Sequence, residues 1–170
     1  MAELSLVRRR TPGITETDLK MMERALKLAR RAAVAGEVPV AAVLYRGDQV
    51  IAEAANTREL ARDPVGHAEL LAIRDAAIKL DEWRLNDCSL AVTLEPCPMC
   101  AGAIVNARIG RVLYGATDPK AGACDTLYRI TADRRLNHRP HVFGGVLGDR
   151  CAALLKDFFR RLRDDRRKSA

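Results

Sequence analysis

No window of this 170-residue chain approaches the roughly 18 consecutive apolar residues of a membrane span, and its opening, MAELSLVRRRTPG, has no apolar core of signal-peptide length. The chain is therefore expected to have no membrane partner and to work in the cytoplasm. Cysteine is neither dense nor evenly paired: five residues, at 88, 97, 100, 124 and 151, include one close pair. That excludes the disulfide framework of a small secreted domain and fits a reducing compartment. Internal repeats, low-complexity blocks and linkers are absent too, which excludes solenoids and strings of domains.

What is there suits one folded body. A chain of this length can bury roughly 70% of its unfolded surface around one core. Its 48% apolar and 30% charged content is ordinary for a globular protein. The net charge of +7 favours acidic partners, nucleic acid first among them. Residues 1–14, with Arg8, Arg9 and Arg10 before a Thr-Pro-Gly breaker, read as a flexible basic arm. Residues 15–165 read as a single domain, and 166–170 as a short basic tail.

Within the domain, Leu19, Met22, Leu26, Ala29 and Ala33 recur at helical spacing behind Thr15, and Gly36 marks the end. VPVAAVLY and VIAEAA, joined by the Arg46-Gly47-Asp48 turn, predict a hairpin with Pro39 near a strand start. HAELLAIRDAAIKL predicts a helix, SLAVTLE a strand ended by Pro96, CPMCAGAIVNA a helix opened by Pro98, and RVLYGATD a strand. After a long loop come a weak strand, HVFGGVLG, and a helix from Asp149 to about Arg163. Strands and helices alternate, so the fold class is α/β.

The chemistry concentrates at two predicted helix starts. His67 heads one, and Cys97 and Cys100 head the other. A helix N-terminus favours thiolate, so both cysteines can bind a cation near neutral pH, and a Cys₂His set suits zinc. Structural zinc sites use four protein ligands, whereas catalytic ones use three and leave a position for water. Three ligands are counted here; His138 and His141, in a late polar loop, are the other candidates for a fourth, and water is preferred. Glu69 stands two residues after His67, placed to move protons without ligating. Alone, a C-x-x-C is also a redox pair and an H-x-E is common by chance. Together, His67-Ala68-Glu69 and Pro96-Cys97-Pro98-Met99-Cys100 reproduce the H-x-E…P-C-x-x-C pattern of zinc deaminases of nucleobases. Cys88, Cys124 and Cys151 have no ligand spacing and are expected to pack, with Cys124 the least certain because its loop contains glycine.

At these residues the chain resembles the cytidine deaminase-like superfamily. From about Asp18 to Arg163 it is similar to the bacterial tRNA-specific adenosine deaminases. The likeness runs through GEVPVAAVL, Asn56, DPVGHAEL, the stretch from WRLNDCSLAVTLEPCPMC to YGATDPKAGA, LNHR and CAALLKDFFRRLR. It implies a three-layer α/β/α fold around a central mixed five-stranded sheet, one zinc per subunit, and a homodimer whose pockets border the partner. It also implies that Asn56 hydrogen-bonds the target base while Val40, Ala68, Leu94 and Pro96 form the base pocket. Asp118 and Lys120 match a loop near the RNA backbone, and Asn137, His138, Arg139, Phe159, Arg160 and Arg163 match RNA-contacting positions. Ala41 departs from a usual glycine, and RPHVFGG departs from a usually acidic stretch.

The implied activity is hydrolysis of adenosine to inosine at the first anticodon position of tRNA, with Glu69 carrying protons from water to ring N1 and to the departing amino group. The substrate is expected to be an unstacked nucleotide of the anticodon stem-loop. A deaminase of free guanine, cytosine or adenine would share the zinc chemistry but would not need the basic cluster from Lys156 to Lys168. A noncatalytic RNA-binding subunit would not need Glu69.

Overall fold

The computed structural model describes residues 13–168, so the Arg8–Arg10 arm and the last two residues of the basic tail lie outside the described residues. The first helix, α1 (Glu16–Val34), starts where the sequence predicts. The Thr15 hydroxyl accepts from the Asp18 backbone N–H, and the Asp18 carboxylate accepts from that of Thr15. This reciprocal cap satisfies two donors that the first turn would otherwise leave open. Met22, Ala25, Leu26 and Ala29 give the helix its buried stripe.

Next come β1 (Ala41–Arg46) and β2 (Gln49–Ala55), an antiparallel hairpin, then α2 (Ala68–Leu80), β3 (Ser89–Leu94), α3 (Pro98–Asn106) and β4 (Arg111–Ala116). A short 3₁₀ turn at Ile130–Ala132 precedes β5 (His141–Phe143), and α4 (Gly148–Lys168) closes the chain. The sheet order is β2-β1-β3-β4-β5. β1 pairs antiparallel with β2 and β3, while β3–β4 and β4–β5 are parallel. The sheet is thus mixed and five-stranded, as the resemblance implied.

Side chains alternate across it. Ala42, Leu44, Leu90, Val92, Val112 and Tyr114 face α2 and α3 through Ala72, Ala76 and Ile104. Val43, Tyr45, Ala91 and Leu113 face α1 and α4 through Met22, Leu26 and Cys151. Each face of the sheet therefore buries one helix pair, which makes three layers. On the α1 side, Asp18 accepts from the Tyr45 hydroxyl and from Arg111 Nη2 (2.8 Å), pinning the start of α1 to β1 and β4. No described helix is long and apolar enough to cross a membrane.

Three boundaries differ from the sequence reading by three residues or more. β1 begins at Ala41 rather than Val38, because the Val40 N–H turns back to the Val38 carbonyl (2.8 Å) and Pro39 has no N–H to offer a sheet. β5 ends at Phe143 instead of continuing through GGVLG, because Gly145 turns the chain at φ +77°, while Gly144 packs against the Tyr114 ring where a larger residue would not fit. α4 does not stop near Arg163 but continues to Lys168, so the basic end is helical through that residue.

Candidate active site

Both parallel strands β3 and β4 end at one rim, where Leu94 pairs with Ala116. The chain leaves β3 through Glu95 and Pro96 and enters α3 with Cys97 as its N-cap and Cys100 in the first turn. His67 is the N-cap of α2, which lies beside α3. The His67 side chain makes no cap bond to its own helix, so it is free to face the cysteines at the start of α3.

They do face each other. His67 Nδ1 lies 3.6 Å from Cys97 Sγ and 3.5 Å from Cys100 Sγ, and the three ligand atoms fall within 4.8 Å of one another. Zn–S bonds of about 2.3 Å and Zn–N bonds of about 2.0–2.1 Å at a tetrahedral angle would separate sulfur from nitrogen by about 3.6 Å. The cluster therefore fits one tetrahedral divalent metal with a fourth position left over. His138 and His141 take no part in it.

Glu69, in the first turn of α2, is 3% exposed, and its Oε2 has no hydrogen-bond partner. A buried, unpartnered carboxylate oxygen is costly in a structural role, so it marks a place where another polar group belongs. Burial pushes the Glu69 carboxyl up, with the nearby Cys97 adding to the effect. The Cys97 thiol is lowered to about 5, first by a hydrogen bond from Cys100 and also by the His67 imidazole and backbone N–H groups of α3. Cys100, which donates that bond and is buried, is pushed up.

A cavity of about 480 Å³ opens onto these groups, within the range of small-molecule sites. His67, Glu69 and Cys97 form its floor. Val38, Val40 and Leu94 form an apolar wall, and Asn56 and Arg58 contribute polar groups on one side. The 117–121 loop, with Asp118 and Lys120, lies on the other side, and α4 contributes Leu155 and Phe159.

The cavity thus brings together Val40, Asn56, Leu94, Asp118, Lys120 and Phe159 from the expected set. Ala68 and Pro96 are buried and do not line it; Pro96 instead accepts the Ala123 N–H at 2.8 Å. Arg160 and Arg163 lie on the exposed part of α4, with Arg160 paired to Asp157 at 2.8 Å. Asn137, His138 and Arg139 are not in the cavity. His138 Nε2 donates to the Ile109 carbonyl (2.7 Å), Asn137 accepts from Arg108, and His138 and Arg139 border a depression near Gly110, at the start of β4. β4 separates this trio from the floor of the same chain. Cys88, Cys124 and Cys151 are all buried, Cys124 included.

Two residues that sequence reasoning passed over organise the rim. Glu95 is buried and accepts from the backbone N–H groups of Asp118 (3.1 Å), Cys124 (3.2 Å), Asp125 (2.8 Å) and Thr126 (2.9 Å), and from the Thr126 hydroxyl. Burial works to raise its pKa, but these bonds hold the carboxyl below its ordinary value. A side chain at Gly122 would collide with the Glu95 carboxylate and the Asp118 carbonyl, so the loop approaches this closely only with glycine there. Glu37 anchors the opposite rim in a similar way. The available signal was a carboxylate set against apolar strand residues, in GEVPV and TLEPC.

The MafB19-like deaminase family matches residues 16–163. A tRNA-specific adenosine deaminase of Bacillus subtilis (strain 168) is 46% identical over 150 residues, covering 88% of this chain and 92% of its own length. A solved structure from work on A-to-I editing by tRNA:A34 deaminases at the wobble position is 43% identical, with a TM-score of 0.76 over 80% of this chain and 99% of that one. A guanine deaminase of Nitrosomonas europaea is 26% identical, with a TM-score of 0.71 over 82% of this chain and 83% of that one. By fold, site and similarity together, the chain belongs to the MafB19-like deaminases and, among them, to the family of tRNA-specific adenosine deaminases.

Proposed function

We propose that this protein hydrolyses adenosine to inosine at the wobble position of tRNA, using zinc held by His67, Cys97 and Cys100 and Glu69 as the proton carrier. The observation that carries the reading is the unpartnered Glu69 Oε2, buried on the cavity floor beside a three-ligand cluster of tetrahedral dimensions. When bound, zinc supplies the Lewis acidity that makes water a nucleophile near neutral pH.

Glu69 takes a proton from the attacking water and passes it to adenine N1 as the water oxygen bonds to C6. The same carboxylate then takes the proton of the new C6 hydroxyl and hands it to the C6 amino group, the C–N bond breaks as the C6 carbonyl forms, and ammonia leaves inosine behind. Leu94 and Val40 hold the ring and keep bulk water from it, and Asn56 meets its polar edge. A base stacked in a helix cannot reach this floor, so the target is an unpaired nucleotide of the anticodon loop.

The cavity carries Arg58 and Lys120, cations suited to phosphates flanking a base. α4 lines the cavity with Leu155 and Phe159 and then exposes Arg160, Arg161, Arg163, Arg166, Arg167 and Lys168. These features favour RNA over a free base. A homodimer, with exposed Leu127 and Tyr128 beside the Glu95-held loop as apolar contact surface, and a cytoplasmic location belong to the same reading.

Inosine mapping on a total tRNA pool, run beside free adenine, guanine and cytosine, tests the assignment. Inosine at position 34 of one or a few tRNAs is the expected result. Turnover of a free base with no inosine in tRNA overturns it.

A further inference from the structure

Glu37 lies just beyond the C-terminus of α1, buried, and outside the cavity lining. Its carboxylate has four donors. Oε1 accepts from the Val38 N–H (2.9 Å) and from Asn56 Nδ2 (2.7 Å), and Oε2 accepts from the N–H groups of Glu59 and Leu60, each at 3.0 Å. These bonds hold the carboxyl below its ordinary value against burial, which works to raise it.

The partner that matters is Asn56, which lines the cavity at the end of β2. Its backbone is already fixed, with its N–H on the Val40 carbonyl at 2.8 Å. What remains is the flip of its amide, and a carboxylate decides this because it only accepts hydrogen bonds. Nδ2 must face Glu37. Oδ1 accepts no hydrogen bond among the described residues, so it stays available together with the second Nδ2 hydrogen.

We infer that Glu37 is a positioning residue: through its bond to Nδ2 it fixes the amide of Asn56 in one orientation and so sets which donor and acceptor the substrate base meets. Its other oxygen holds the 58–60 turn, so Arg58 and Asn56 are placed by one anchor. The inference rests on the reading of this cavity as the base pocket.

Glu37→Gln keeps the size of the side chain but has only one accepting oxygen for four donors, and its own NH₂ then opposes two of them. The test compares Glu37→Gln, Asn56→Ala and the double variant by single-turnover inosine formation on an anticodon stem-loop, with zinc content and melting temperature measured alongside. A lost hydrogen bond to a charged group predicts a fall of about tenfold or more for each single variant. If Glu37 acts through Asn56, the double variant should fall no more than about threefold below the worse single one. Independent losses that multiply in the double variant would overturn the inference, as would a wild-type rate for Glu37→Gln.

A second measurement needs no substrate. In the wild-type protein one Asn56 side-chain amide proton should resonate downfield, bound to the carboxylate, and in Glu37→Gln or Glu37→Asp it should move. Unchanged Asn56 resonances in both variants sink the inference even if the deaminase reading stands. If the wild-type protein edits no RNA, the deaminase reading fails while the amide measurement still decides the role of Glu37.

Discussion

Removing the Glu69 carboxylate should abolish turnover while leaving the fold in place. Glu69 Oε2 is buried with no partner, and burial already disfavours the charged form. The partner this oxygen lacks is the water it serves, so in the zinc-loaded protein Glu69→Ala loses one hydrogen bond and is relieved of burying a carboxyl, while water fills the small space left open to the cavity. These effects oppose one another, and the melting temperature should move by no more than about 4 °C in either direction. The rate should change far more. A positioned acid–base group contributes about 10²–10⁴-fold, and one carboxyl serving every proton transfer belongs at the upper end. Single-turnover inosine formation, metal analysis and thermal melts on one preparation test all three points. Retention of more than about a tenth of the rate refutes Glu69 as the proton carrier. Loss of the metal, or a melting temperature lowered by many degrees, would make Glu69 a ligand or a structural support instead of a proton carrier.

Replacing both Cys97 and Cys100 by Ala should leave protein that purifies without zinc, as metal analysis would report; full zinc retention would redraw the ligand set. Glu95→Gln should destabilise the protein by about 2–4 kcal/mol, since one accepting oxygen cannot serve five donors, only some of which can turn to water. The Glu95 and Glu37 carboxyls sit below their ordinary value of 4.5, so the stability they contribute is complete above that pH and is lost as pH falls through the lowered values. Acid melts should therefore drop below about pH 4.5, and less steeply in Glu95→Gln. Reversing Arg160, Arg161 and Arg163 to Glu should weaken tRNA binding and reduce the salt slope by about 2, measured by filter binding across salt concentrations; an unchanged slope would leave these arginines as a solvated helix face.

The sequence was informative wherever side-chain type and period carry the signal. The three- and four-residue spacing of Leu19, Met22, Leu26 and Ala29 marks α1, and short apolar runs bounded by turns mark β1 and β3, which are buried on both faces. His67, Cys97 and Cys100 group together on residue type and spacing alone, because metal ligands must be particular side chains at particular helix starts. Glu37 and Glu95 do not, because most of their partners are backbone N–H groups lying 22 to 31 residues further along the chain, and a backbone donor has no letter in the sequence. HVFGGVLG read as a longer weak strand because apolar residues continue past the two glycines, while in the structure the chain turns out of the sheet at Gly145, whose φ is +77°. The placement of Asn137–Arg139 near Gly110 follows from the path of the 117–140 loop, which residue types do not encode.

The floor and the rim of the cavity are fastened by different means. The floor belongs to the sheet and to two helix starts, so its geometry is shared by the whole domain. Each rim hangs from one carboxylate mostly through bonds to backbone N–H groups, the exceptions being the Asn56 amide on Glu37 and the Thr126 hydroxyl on Glu95. Apart from Gly122, which allows the close approach, and Thr126, whose hydroxyl joins in, residues of the 57–62 and 117–126 segments can therefore change while their N–H groups keep the same attachment. Such an arrangement lets the mouth of the pocket diversify toward new bases or new RNA contexts while the hydrolytic centre is inherited intact.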